Sequence, residues 1–265
     1  MTDTLQVRIQ GDASLPTLIY CPGMHGDWTL AQAFRQAIAS QVRLVEMTYP
    51  LQRWDLPDYA RHVEAALLAK GIMTGWLLGE SFGSQVAWWL TARSQAKQAL
   101  GKSGFAPQGI ILAGGFVRYP LPLGVVLVRA MQRKLTLQNI SLTLRAYVKF
   151  MRWRHRNNPV MQGSLDEFLV NRGTPGDQAV IQNRYDLILG SDPRSVASHT
   201  QLPVYYLTGF WDFIVPWVPV LLWLKRRCKT FKGTRVVWMA EHNILGSAPK
   251  VAAEQIVKWI KSEAV

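Results

Sequence analysis

The sequence predicts an α/β fold: a mostly parallel sheet with helices on both faces, and a helical cap inserted into it. Three observations lead there. Short apolar, β-branched runs alternate with helical patterns along most of the chain. Most of those runs are near-continuously apolar, as central parallel strands buried on both faces should be. One long stretch, 119–200, breaks the alternation with helical patterns alone.

The elements follow in order. Residues 5–10 and 17–21 open the chain as strands. Residues 27–40 read as a helix with Asp27 at its N-cap, where a carboxylate satisfies a free backbone N–H. Residues 43–48 are the third strand. Over 57–70, Tyr59, Val63, Ala66 and Leu67 share one helical face, and Gly71 supplies the stop. A strand at 75–78 runs into a helix at 82–99, and 109–113 is the fifth strand. Within 119–200, residues 124–134 and 137–154 read as helices rich in Leu, Val and Arg. A structureless loop of that length does not suit a compact domain, and the stretch falls between two core strands, where a cap over a site would be inserted. Strands at 204–208 and 235–239 and helices at 215–227 and 249–261 complete the chain. With no Gly/Ser-rich or Pro-rich linker, the expected division is a core of 1–118 and 201–265 with a cap of 119–200.

Composition narrows the function classes. Hydrophobic residues make up 49% and charged residues 18%, so the chain builds a sizeable core and is not disordered. The net charge is +13. Residues 119–200 hold eleven basic and five acidic side chains, and Lys225, Arg226, Arg227, Lys229, Lys232 and Arg235 form a second cluster with no acid between them. Such clusters attract anionic partners, although a solvated basic surface has the same composition. No secretory signal opens the sequence, and no apolar run approaches the roughly 18–20 residues that span a bilayer. Cys21 and Cys228 make neither a disulfide framework nor a zinc site, and no paired His/Cys/Asp spacing suggests a metal. The expectation is a cytoplasmic protein, peripheral to a membrane at most, with no cofactor.

The strongest chemical signal is Gly79-Glu80-Ser81-Phe82-Gly83. Its context gives it weight: an apolar strand precedes it and a helix follows. A sharp strand-to-helix turn needs small residues at both glycine positions, and it lifts the serine hydroxyl above the sheet edge at a helix N-terminus. A serine needs a base. Of His25, His62, His155, His199 and His242, His62 lies in a helix and His155 and His199 in the 119–200 stretch, whereas His242 directly follows the strand at 235–239, in a loop that can reach over the same sheet edge. The base needs an acid to fix its tautomer. Asp212 follows the strand at 204–208, whereas the loop after the fifth strand, Gly114-Gly115-Phe116-Val117-Arg118, carries no carboxylate. Two backbone donors for an oxyanion are expected at Phe82 and at Met24, in Pro22-Gly23-Met24-His25-Gly26. Trp211 and His25 are substrate-pocket candidates, Phe82 and Met24 flank the site, Trp88 and Trp89 pack a helix, and Glu80 is a structural hydrogen-bonding partner.

The chain order Ser81, Asp212, His242, each just after a strand, resembles the α/β-hydrolase superfamily. The Pro-Gly-Met-His-Gly loop is similar to the oxyanion loop of its lipase- and thioesterase-like members. The resemblance covers 17–116 and 204 to the C-terminus; 119–200 matches nothing recognisable. It implies a serine hydrolase, a carboxylesterase or thioesterase acting on an apolar acyl group through an acyl-enzyme. The basic cap would meet an anionic partner: an acyl carrier protein, a coenzyme A moiety or an anionic membrane surface. The segment from Trp217 to Lys229 joins an apolar run to a basic one and is a candidate for docking on a membrane surface. The alternative is a catalytically silent binding protein of the same fold. Nucleic-acid binding lacks any known motif.

Overall fold

The computed structural model describes residues 4–134, 136–156, 159–170, 172 and 174–263. Seven strands, β1 (Gln6–Gln10), β2 (Thr17–Cys21), β3 (Arg43–Thr48), β4 (Thr74–Glu80), β5 (Ala106–Ala113), β6 (Val204–Gly209) and β7 (Phe231–Val237), form one sheet in the order β1-β3-β2-β4-β5-β6-β7. Only β1 is antiparallel to its neighbour. All the C-terminal ends from β2 to β7 therefore lie along one rim, and the loops leaving that rim carry the site.

Between the strands run α1 (Gln32–Ile38), α2 (Leu56–Ala69) and α3 (Gly83–Ala99). Side chains alternate across each strand. Ile19 and Cys21 of β2 join one core with Val45, Leu77, Val63, Leu67, Val86 and Trp88, under α2 and α3. Leu18 and Tyr20 join the other with Leu44, Leu78 and Phe34 of α1. α2 begins where Asp55 accepts the Asp58 amide at 2.7 Å, with proline in its first turn.

The stretch between β5 and β6 is helical: α4 (Pro122–Lys134), α5 (Leu137–Arg154), α6 (Pro159–Val170), α7 (Pro175–Gly190) and α8 (Arg194–His199). The sequence patterns bring out the first two and pass over the other three. After β6 come α9 (Trp217–Arg227), and after β7 come α10 (Ile244–Ser247) and α11 (Pro249–Ser262). α9 buries Val220 and Leu224 in the first core and leaves Lys225, Arg226 and Arg227 in solvent, so the apolar side of the Trp217 to Lys229 segment is largely turned inward. No helix among the described residues is long and apolar enough to cross a membrane.

Two sequence expectations need correction. Residues 27–40 are a single 3₁₀ turn, Thr29–Ala31, followed by α1, and Asp27 does not cap a helix. Its Oδ1 accepts the Thr29 amide at 3.0 Å and its Oδ2 accepts from Arg172, which holds it in the preceding turn. The last strand is Phe231–Val237 rather than 235–239. It is an edge strand buried only at Val237, so its Lys232, Thr234 and Arg235 gave no apolar run to read.

Candidate active site

β4 ends at Glu80 and α3 begins at Gly83, so Ser81 and Phe82 make the whole turn. Ser81 has φ 49°, in the left-handed region that costs a non-glycine residue about 1–2 kcal/mol. The surroundings over-determine that conformation. The Ser81 amide donates to the Ala113 carbonyl at 3.1 Å, and its carbonyl accepts from the Ser84 amide at 3.0 Å and the Ser84 hydroxyl at 2.6 Å. Ser84 Oγ in turn accepts the Phe116 amide at 3.0 Å, while Gln85 Nε2 donates to the Phe116 and Val117 carbonyls at 3.2 and 2.8 Å. The first turn of α3 and the loop after β5 thus brace the elbow from behind. The two glycines of the motif are steric necessities. A Cβ at Gly79 would lie 2.7 Å from Ser84 Cα, and one at Gly83 would lie 2.6 Å from the Cys21 carbonyl carbon and 2.8 Å from the Pro22 oxygen.

The structure brings together the three side chains singled out in the sequence. His242 Nε2 is 2.9 Å from Ser81 Oγ, and its Nδ1 is 2.9 Å from Asp212 Oδ2. Asp212 is buried, and its Oδ1 accepts the amides of Ile214 (3.1 Å) and Val215 (2.8 Å). Both carboxylate oxygens are therefore fixed, and the imidazole is held with Nδ1 as the donor and Nε2 left to accept. Burial pulls the His242 pKa down, but the Asp212 hydrogen bond and the charges of Asp212, Glu80 and Glu241 outweigh it, and the ring titrates above its ordinary value. Gly114, at φ 53°, lets the loop after β5 pass close: a Cβ there would sit 3.2 Å from His242 Nδ1 and 3.3 Å from Asp212 Oδ2.

The loop after β2 lies against the serine, since a Cβ on Gly23 would be 3.4 Å from Ser81 Cβ. The Gly23 carbonyl accepts from the Gly26 amide at 2.9 Å. In a trans peptide C=O and N–H point opposite ways, so the Met24 amide is turned away from that bond. The Met24 carbonyl accepts from Arg184 Nη1 at 2.6 Å. Arg184, on α7, is fully buried. Its Nε donates to the Tyr59 hydroxyl at 3.1 Å, and its guanidinium lies 5.7 Å from the ring centroids of Tyr49 and Phe82. It also fills the space a side chain at Gly26 would need: a Cβ there would be 2.6 Å from Nη1. Sequence reasoning missed this residue. One arginine on a helix carries no sign of a partner 160 positions away.

The remaining expectations divide. The Phe82 side chain is fully buried, its ring 5.6 Å from that of Tyr59, so it forms no wall of the site. His25 packs its ring edge-on against Phe168 of α6 at 4.7 Å. Burial, with Arg172 and Arg184 nearby, takes its pKa down to about 3. Neutral and wedged, it is part of the loop's support. Glu80 accepts from the Tyr20 hydroxyl, as a structural partner would, and burial raises its pKa. Glu241 turns away from His242 toward Arg154 (3.4 Å) and His155 (3.3 Å). Trp211 stands at the outer rim, 42% exposed, its ring near those of Phe213 and Trp238. Trp88 is buried in the first core, and Trp89 is partly buried with its indole N–H donating to Ser191 Oγ at 3.2 Å. Tyr147 of α5 lies near Glu241 and Glu80; burial first, then those charges, push its phenol up to about 12. A cleft of about 410 Å³ between Tyr119, Pro122, Pro219 and Trp223 lies to one side, and none of the three relay residues lines it. Among the described residues no group of three or more His, Cys, Asp or Glu is placed to hold a metal ion.

No protein-family model matches the sequence, and no curated protein matches it. Solved structures do. A thermophilic esterase from Thermogutta terrifontis superposes with a TM-score of 0.76 at 16% identity, over 98% of this chain and 94% of that one. An enol-lactonase from Burkholderia xenovorans gives 0.73 at 15%, over 97% and 96%. A meta-cleavage product hydrolase from Pseudomonas fluorescens gives 0.67 at 15%, over 97% and 94%. An alpha/beta hydrolase enzyme from a deep-sea metagenome library gives 0.68 at 12%. At such identities the likeness is one of fold.

Proposed function

Given that the chain has the α/β-hydrolase fold, we propose that it is a serine hydrolase cleaving a carboxylic ester or thioester of an apolar acyl group. The observation that carries the reading is the continuous pair of 2.9 Å hydrogen bonds from Ser81 through His242 to buried Asp212. Ser81 Oγ attacks the acyl carbonyl carbon while His242 Nε2 takes its proton, and Asp212 stabilises the imidazolium that forms. The oxyanion is held by the Met24 and Phe82 amides, the second at the N-terminus of α3, where the helix dipole favours negative charge. His242 then gives its proton to the departing alkoxide or thiolate. In the second half a water, deprotonated by His242, releases the acid and frees Ser81. The esterase and lactonase of the same fold support this class of reaction.

We read 1–118 and 201–265 as the hydrolase core and 119–200 as a cap upon it. Four contacts support this. Ser164 Oγ donates to Gln32 at 2.8 Å, Phe168 meets His25, Arg172 pairs with Asp27, and Arg184 holds Met24. An apolar acyl group suits a rim that exposes Trp211, Phe213 and Trp238.

A fluorophosphonate probe tests the reading directly, since it labels an activated serine. Wild type should be labelled and Ser81→Ala should not, and p-nitrophenyl esters or acyl-CoA thioesters should be turned over only by the wild type. Labelling that persists in Ser81→Ala would discard the mechanism. A wild type that is neither labelled nor active would point to a silent binding protein.

A further inference from the structure

Three stretches outside the relay leave apolar side chains in solvent. α4 buries only Val125, and on that side Arg129 and Arg133 pair with Asp186 of α7. At 100° per residue, Leu123, Leu127 and Met131 fall on the opposite side, where Leu123 is 78% exposed and Leu127 65%. α5 repeats the arrangement. Val148 and Met151 are buried against α6, while Leu142, Ala146, Phe150 and Trp153 share the outward face. The third stretch is the rim of the site: Trp211, Phe213 and Ile214 after β6, and Trp238 and Met239 after β7.

The three are joined. The Tyr119 hydroxyl, just before α4, donates to the Ile214 carbonyl. At the end of α5, next to Trp153, Arg154 Nη2 donates to the Met239 carbonyl at 3.0 Å. Both helices are thereby tied at one end to the loops that carry Asp212 and His242. A domain rarely leaves this many large apolar side chains exposed on neighbouring segments without using them.

Its flanks identify what it meets. On α5, Arg145 and Lys149 lie beside the outward apolar stripe. Among the described residues no ion pair joins Arg145, Lys149, Lys134 or Arg156 to a carboxylate. A helix with an apolar face flanked by unpaired cations is built to lie in a lipid headgroup layer: its hydrophobic side sinks into the acyl boundary and its basic side chains reach anionic headgroups. A second copy of the chain fits less well, because a two-fold contact sets these same cations near one another on a protein of net charge +13. A nucleic acid fits less well too, since it would meet leucine and tryptophan in the middle of the face.

We propose that the face formed by the outward sides of α4 and α5 and by the rim loops docks this protein, site downward, on an anionic lipid bilayer. Docking does not depend on the chemistry proposed above, and its test needs no turnover. The full chain is floated with vesicles of phosphatidylcholine alone and of equal parts phosphatidylcholine and phosphatidylglycerol. Binding to the anionic vesicles should exceed binding to the neutral ones and weaken with salt. Each basic residue near such a surface contributes about fivefold in partitioning. Arg145→Glu with Lys149→Glu should therefore weaken binding by about 25-fold or more, and Leu127→Asp with Phe150→Asp by at least about tenfold. All four substitutions are at exposed positions, and an unchanged near-ultraviolet circular dichroism spectrum confirms the fold. Three results would overturn the proposal: no partition onto anionic vesicles, partition that survives both double variants, or a dimer in solution that Leu127→Asp with Phe150→Asp splits, which would make the face a self-interface.

Discussion

Replacing Gly83 with alanine tests whether close packing at the elbow sets the activity. The added methyl would lie 2.6 Å from the Cys21 carbonyl carbon and 2.8 Å from the Pro22 oxygen, where two carbons rest at about 3.5–4.0 Å. Neither obstacle is a flexible side chain. Both are backbone, at the end of β2 and the start of the loop that carries Met24. Relief needs a shift of about 1 Å between that loop and the first turn of α3, and these are the elements that carry the two proposed oxyanion amides. Overpacking of this kind costs about 1–3 kcal/mol, or a melting temperature lower by roughly 3–10 °C in a domain of this size. A misplacement of that order costs about 100-fold in rate. Gly124→Ala is the control: a Cβ there meets nothing within 4 Å, its φ is outside the left-handed region, and it lies on α4. It should stabilise by about 0.5–1 kcal/mol and leave turnover alone. Thermal melts and kcat/KM on a soluble p-nitrophenyl ester read both. A Gly83→Ala protein with wild-type melting and wild-type kcat/KM would refute the steric account.

Three further predictions follow from the site. Ser81→Ala and Ser81→Gly should both lose several orders of magnitude in kcat, but only glycine relieves φ 49°; Ser81→Gly should melt about 2–4 °C above Ser81→Ala, and equal melting temperatures would mean that the turn stores no strain. His242 must be neutral to accept the serine proton and its pKa is raised, so activity should rise with pH through a midpoint above the usual imidazole value; Asp212→Asn should lower kcat by about 10⁴-fold and Glu80→Gln should move the midpoint down, and a midpoint unmoved by Glu80→Gln would remove that charge from the account. Arg184→Met frees the Met24 carbonyl and should lower kcat about tenfold to 100-fold with a smaller change in KM; Arg184→Lys should not restore it, because an ammonium lacks the fork that reaches both Met24 and Tyr59, and full activity in either variant would deny the arginine a positioning role.

Much of this was legible in the sequence for definite physical reasons. Strands buried on both faces are continuously apolar, so β2, β4, β5 and β6 stand out. The elbow glycines and the residues following β6 and β7 place Ser81, Asp212 and His242 before any coordinates. What stayed hidden depends on pairing in space. β7 has only one covered side, so its pattern breaks up. Asp27 is a plausible helix cap until Arg172 is seen to draw its carboxylate away. Phe82 reads as flanking the site because it is next to Ser81 in the chain, yet its ring is packed in the core against Tyr59. α4 and α5 read as helices rich in Leu, Val and Arg, but composition does not say which side of a helix meets protein and which meets solvent.

Arg184 has a consequence for how this architecture can be altered. Its helix lies between β5 and β6, yet its guanidinium occupies the hollow left by Gly26 in the loop after β2. The helices between β5 and β6 are thus keyed to the loop after β2 as a bolt sits in a socket, and exchanging them would remove the bolt. A chimaera carrying a foreign stretch between β5 and β6 would leave the hollow beside Gly26 empty unless the arginine were grafted with it.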